Sequence, residues 1–133
     1  MVCLDTYFLI DVIKGKLDER FSSILDGDES IKIASPSIIE LIKGLHLERN
    51  LRNIKKGEIE KIDKVLNSIT VLDLNRESAR RAGKIEANLE NRGEIIDIED
   101  IMIGAIAIEN DEKILTRNKK HFNKIEGLKV EGY

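Results

Sequence analysis

Apolar residues fall along this chain in short unbroken blocks separated by longer stretches of helical period, a pattern that predicts strands alternating with helices. Val2–Asp5 reads as a short buried strand, and Phe8, Leu9, Val12 and Ile13 then keep a helical spacing that Gly15 stops. Leu17 to about Leu25 predicts a second amphipathic helix, ended by the turn Gly27-Asp28, and Ile31–Ala34 predicts a strand. Ser35-Pro36 opens the next helix, with Ser as cap and Pro at the first helical position; its apolar stripe is Ile38, Leu41, Ile42 and Leu45. Beyond Gly57, a helix carries Ile59, Ile62, Val65, Leu66 and Ile69, and Val71–Leu74 follows as a strand. Asn75 is placed to cap a long helix reaching about Asn91, which Gly93 closes. Asp97 is placed to cap a further apolar helix through about Asn110. Lys113–Thr116 predicts a strand, Lys119–Ile125 a short helix and Leu128–Val130 a last strand. Strands that alternate with helices argue for an α/β fold, with a central, mainly parallel sheet flanked by helices on both faces. Residues 1–133 read as one domain, with no internal repeat, low-complexity segment or linker.

Composition narrows the class. With 41% hydrophobic residues, no Trp and only 4% aromatics, the core is built from Ile, Leu and Val. The lone Cys3 leaves no internal disulfide and suits a reducing, cytoplasmic setting. No secretory leader is expected, because charge arrives at Asp5 and no small-residue cleavage site follows; no apolar run is long enough to span a membrane. A net charge of −3 argues against a bulk polyanion binder, so nucleic acid would be met by local basic patches. These gather around Lys14 and Lys16, between Lys43 and Lys56, and at Arg117, Lys119, Lys120 and His121; each alone also reads as a solvated helix face.

Four acidic or amide side chains carry the candidate chemistry. Asp5, Glu40, Asp100 and Asn118 each lie within or just beyond an apolar run, which holds them at the edge of a core where solvation is poor. One such carboxylate needs a partner, and several that converge need a cation. Oxygen-only donors suit Mg²⁺ or Mn²⁺ rather than zinc. In an open parallel sheet, ligand sites lie beyond the carboxyl ends of the strands, where Asp5 and Asn118 fall. Glu40 and Asp100 lie near the starts of helices that pack on that sheet, so one crevice can hold all four.

Each candidate also has a plainer reading. Asp5 can cap the first helix, and capping weighs as much as metal binding. Glu40 sits between Ile39 and Leu41 with Gly44 one turn on, which favours function over a surface role. Asp97 and Asp100 have the spacing of a cap and its reciprocal acid; the cap accounts well for Asp97 and less well for Asp100, since Gly104 clears space one turn beyond it. Ile101, Met102, Ala105 and Ile108 form that helix's buried stripe, and Glu99 faces solvent. Asn118 follows a strand directly, where a satisfied turn is the alternative. His121 reads as an exposed helix position, and His46 has no Cys nearby to make a zinc site. No phosphate-binding loop, dinucleotide fingerprint or nucleophile elbow is present.

Together the motifs resemble a known family. Leu4-Asp5-Thr6-Tyr7-Phe8-Leu9-Ile10-Asp11, Ser35-Pro36-Ser37-Ile38-Ile39-Glu40-Leu41-Ile42-Lys43-Gly44, Asp97-Ile98-Glu99-Asp100-Ile101-Met102-Ile103-Gly104-Ala105 and Leu115-Thr116-Arg117-Asn118-Lys119-Lys120-His121-Phe122 resemble, in order, the motifs of PIN-domain ribonucleases, above all the VapC-type toxins. Each motif alone is weak; four in order are fairly specific. The resemblance implies a PIN-like fold, with Asp5, Glu40 and Asp100 as acidic metal ligands and Asn118 near the metal. It also implies metal-dependent hydrolysis of RNA, a small antitoxin that covers the site, and a homodimer. Two positions depart from the pattern: Tyr7 replaces a small amide, and His121 replaces the acid before Phe122. If a fourth acid is needed for a second metal, Asp97 has to supply it, or only one ion binds tightly. Two further readings are a PIN-like RNA-processing or RNA-binding protein without an antitoxin and a non-catalytic scaffold; retention of the three acids argues against the latter.

Overall fold

The computed structural model describes residues 2–13, 31–47 and 56–132. The helix expected from Leu17 to about Leu25, its flanking turns, and the basic residues Lys14, Lys16, Arg49, Arg52 and Lys55 lie outside them. Five strands, β1 (Val2–Leu4), β2 (Ile31–Ala34), β3 (Thr70–Leu72), β4 (Lys113–Thr116) and β5 (Val130–Gly132), form one sheet in the order β3-β2-β1-β4-β5. All four pairings are parallel; Leu4 of β1 sits between Ile33 of β2 and Leu115 of β4. The expected mainly parallel sheet is wholly parallel over the described residues. Two expected strands shift along the chain: β3 ends at Leu72, and β5 begins at Val130. No helix among the described residues is long and apolar enough to cross a membrane.

Side chains of successive strand residues point to opposite faces, and two separate cores result. Leu4, Ile33 and Leu115 pack with Phe8 and Leu9 of α1 (Thr6–Ile13), Leu41 of α2 (Ser35–His46) and Ile62 of α3 (Lys56–Ser68). Cys3, Ala34 and Ile114 pack on the other face with Ala82 and Leu89 of α4 (Arg76–Asn91) and much of α5 (Ile98–Glu109). A four-residue helix, α6 (Lys119–Phe122), places Phe122 in that second core.

Helix ends follow the sequence in part. Asn75 caps α4 through a reciprocal pair: its side chain accepts from the Ser78 N–H at 2.9 Å, and Ser78 Oγ accepts from the Asn75 N–H at 2.8 Å. Gly93, with φ of 70°, closes the same helix. Ser35 is not the cap of α2. Ala34 holds that position, and Ser35 Oγ instead accepts from the backbone N–H of Leu74 at 3.1 Å, beyond the end of β3. Asp97 occupies the N-cap position of α5, yet its side chain makes no capping hydrogen bond.

Burial on α5 is wider than the stripe expected from its sequence. Ile101, Ile103, Gly104, Ala105, Ile106 and Ala107 are all buried, so the helix is enclosed nearly all round, while Met102 and Ile108 are only half-buried. Gly104 does not clear room for Asp100. A Cβ there would stand 2.8 Å from Ile125 Cδ1 and 3.4 Å from Leu128 Cδ2, so the glycine admits the C-terminal segment against α5.

Candidate active site

Strand order makes the site. Chain connections leave β1 toward β2 on one side, while β4 lies on the other, so the crevice between the ends of β1 and β4 is the switch point of the sheet. Asp5 follows β1 there and Thr116 ends β4. Thr116 Oγ1 donates a short hydrogen bond to Asp5 Oδ2, and Asp5 Oδ1 accepts from the backbone N–H of Tyr7 at 2.8 Å. One oxygen therefore caps α1 while the other faces β4, so the capping reading of Asp5 and its place in the crevice hold together. Asp5 is buried, at 4% exposure.

Glu40 arrives from α2 and meets Asp5's neighbour: Thr6 Oγ1 donates to Glu40 Oε1 at 3.2 Å. Helix α2 turns this carboxylate inward while exposing the flanking Ile39, at 60%. Asp100 comes from the first turn of α5. Its Oδ2 lies 3.7 Å from Nδ1 of His121, the residue standing where the resembling family has an acid.

Charge shows how near these groups are to one another. Burial pushes the Asp100 carboxyl up to about 6, the charges of Asp5 and Asp97 add to the rise, and His121 opposes it. Burial also raises Glu40, against the Thr6 hydrogen bond, and the charges of Asp100, Asp5 and Glu99 push the same way. Asp5 is raised by burial too, but the Thr116 and Tyr7 hydrogen bonds and the Arg117 charge hold it back. Three carboxylates are thus brought within electrostatic reach at one edge of the sheet.

Donor chemistry fits a hard divalent cation, since every candidate ligand atom is oxygen. The acids are not drawn into a closed cage: among the described residues, no three His, Cys, Asp or Glu side chains are gathered closely enough to enclose an ion. Asp97 is exposed, and its charge raises Asp100.

Asn118 gives its backbone N–H to Thr116 Oγ1 at 2.9 Å. With Thr116, Arg117, Lys119, Lys120, His121 and Gly132 it lines a cleft of about 340 Å³ beside the acids. Sequence reasoning passed over four neighbours. Thr6 and Thr116 orient the carboxylates. Glu99, expected in solvent, is half-buried and reaches Glu40 with its charge. Asp11, buried in α1, pairs with Arg117 Nη1 at 3.0 Å. Asp11 carried a signal, an acid among Phe8, Leu9 and Ile10, whereas the threonines read as ordinary helix-start and strand-end residues.

The PIN domain family matches residues 2–128 of the chain. A ribonuclease VapC1 from Methanocaldococcus jannaschii is 30% identical over 133 residues, spanning 97% of this chain and 85% of that protein. A tRNA(fMet)-specific endonuclease VapC from Shigella flexneri is 32% identical over 137 residues, spanning 98% and 96%. Among solved structures, VapBC2 from Rickettsia felis bound to a promoter DNA fragment superposes with a TM-score of 0.81 at 25% identity, covering 100% of this chain and 99% of that one. DNA-bound VapBC from Salmonella typhimurium gives 0.81 at 26% identity, covering 99% and 98%. On motif order, fold and kinship alike, this chain belongs to the PIN-domain family, among the VapC ribonucleases.

Proposed function

We propose that this chain is an endoribonuclease that hydrolyses RNA phosphodiester bonds as the toxin of a toxin–antitoxin module. The observation that carries the reading is the trio at the switch point: burial raises Asp5, Glu40 and Asp100 alike, the charge of Asp5 raises Asp100 further, and those of Asp100 and Asp5 raise Glu40, in a crevice where no described lysine or arginine forms an ion pair with them. These residues would hold Mg²⁺ or Mn²⁺, which when bound supplies an acidified water and charge neutralisation at the phosphate. Thr116 and Thr6 fix the carboxylate orientations of Asp5 and Glu40, two of the three acids that a cation would draw together. Asn118 and Asp97 serve at the rim, Asn118 by its amide and Asp97 as the acid available to a second ion.

Arg117, Lys119 and Lys120 line the adjacent cleft and offset the acids' repulsion of the RNA backbone. The small antitoxin partner covers the site, and exposed Ile39 and Ile42 on α2, beside Glu40, give it apolar ground. A single PIN-like unit over residues 1–133, a homodimer and a cytoplasmic setting complete the reading; light scattering on the purified chain tests the dimer. Cleavage of structured RNA with Mn²⁺ or Mg²⁺, run beside Asp5→Asn, tests the activity. The wild type is expected to cut and the variant to lose activity by several orders of magnitude. No cleavage by the wild type of any RNA, with either ion, would defeat the ribonuclease reading.

A further inference from the structure

Tyr7 departs from the family pattern, and its surroundings give it a use. Phe8 and Phe122 are buried in the two cores, whereas Tyr7 is 47% exposed, one residue beyond Thr6 and hydrogen-bonded through its own N–H to Asp5. Tyr7 and Asp11 are four apart on α1 and so share a face of the helix. Both meet Arg117: its guanidinium carbon lies 5.6 Å from the centre of the Tyr7 ring, over its face, while Nη1 is tied to buried Asp11 at 3.0 Å. An aromatic ring and a guanidinium held over its face are thus anchored together next to Asp5 and Thr116. Half of the Arg117 side chain remains exposed, at 52%.

We propose that Tyr7 and Arg117 form a stacking subsite for one unpaired RNA base next to the scissile phosphate. The proposal rests on the ribonuclease reading and names a substrate feature that the reading leaves open. Aromatic rings and guanidinium planes are the surfaces on which splayed-out bases stack in single-stranded loops. Here the planes come pre-assembled, because Asp11 removes rotamer freedom that Arg117 would otherwise lose on binding. Arg117 keeps donors for a backbone phosphate, so base and phosphate are engaged by one unit. A Tyr in place of a small amide makes the enzyme choose RNA with an unstacked base at the cut site.

The test uses a hairpin RNA whose loop bases are replaced one at a time, by an abasic ribose for kinetics and by 2-aminopurine for binding. In the Mn²⁺ kinetics, one abasic position should raise KM on the order of tenfold in the wild type, with kcat little changed. Tyr7→Ala should raise KM similarly on the intact RNA, and that abasic position should then add nothing. Tyr7→Phe, which keeps the ring, should behave as the wild type. Binding is read in EDTA, where no cleavage occurs. One 2-aminopurine position should be quenched by the wild type and by Tyr7→Phe, but not by Tyr7→Ala. Quenching and KM that do not depend on Tyr7 would overturn the subsite even if cleavage proceeds normally. Loss of antitoxin affinity in Tyr7→Ala, with RNA binding intact, would overturn it as well and assign the ring to the protein partner. Failure of the wild type to cut any RNA sinks the ribonuclease reading instead, and the EDTA binding result still decides the subsite.

Discussion

At the N-terminal end of the sheet, Glu112 is 2% exposed and meets Lys32 Nζ at 2.5 Å, an ion pair the chain supplies for itself. At the opposite end, Asp5, Glu40 and Asp100 are also drawn out of water, yet among the described residues they receive hydroxyls and one histidine rather than an ion pair with a lysine or arginine. The guanidinium of Arg117 eases Asp5 by its charge but is paired with Asp11. The described residues thus treat buried acid in two ways: one edge neutralises it internally, and the other leaves a deficit of positive charge. A deficit costs folding free energy and is retained only where something outside the chain fills it. The unpartnered Oε2 of Glu112 shows that the internally neutralised edge is imperfect too, although its charge is met.

The comparison breaks most sharply on activity. Asp5→Asn should abolish RNA cleavage by several orders of magnitude, while Glu112→Gln leaves kcat/KM within a few-fold. Comparable losses from both, in one cleavage assay, would erase the distinction between the edges. Stability should show the reverse order. Glu112→Gln leaves Lys32 facing a neutral amide and should cost about 2 kcal/mol in urea unfolding, below the value for fully buried pairs because Lys32 is partly solvated. Asp100→Asn should instead raise the melting temperature in EDTA and remove the Mn²⁺-dependent thermal shift. A Mn²⁺ shift that survives in Asp100→Asn would remove Asp100 from the ligand set.

Acidity sharpens the same contrast with a smaller effect. The folded-state pKa of Asp100, about 6, exceeds its ordinary 3.8, so the folded chain binds this proton more tightly than the unfolded one. Its contribution to metal-free stability therefore rises as pH falls from 7 through 6 and levels off near 4. The melting temperature in EDTA should rise from pH 7 to pH 5 more in the wild type than in Asp100→Asn; equal slopes would contradict the assignment. Mn²⁺ affinity should fall over the same range, since ion and proton compete for the carboxylate. The smallest effects belong to the rim. Asn118→Ala should slow cleavage less than any ligand variant, and His121→Ala, whose ring is half in solvent, should change it only a few-fold.

Most of the architecture was legible in the sequence because it is written in local period. Ile31–Ala34 and Lys113–Thr116 stand where expected, and Asn75 with Gly93 marks the limits of α4. The three acids stood out because each interrupts an apolar run. The misreadings share a different cause. Ser35, Gly104 and Glu99 each look locally like a cap, a gap and a solvated acid, but their roles are set by Leu74, by Ile125 with Leu128, and by Glu40, residues distant along the chain. The ring of Tyr7 and the pair Asp11–Arg117 were illegible for the same reason, since no local pattern relates α1 to the end of β4.

The hydrogen bond from Thr116 to Asp5 joins residues 111 positions apart, and it also fixes when the crevice comes into being during synthesis. Asp5 leaves the ribosome well before β4, the strand beside β1, is made. Until Thr116 emerges, Asp5 lacks its hydroxyl donor and β1 lacks one neighbour. A nascent or prematurely terminated chain therefore carries the acids without the crevice that gathers them. For a nuclease translated amid messenger, transfer and ribosomal RNA, a site assembled from β1 and β4 keeps its own synthesis intact until β4 has emerged.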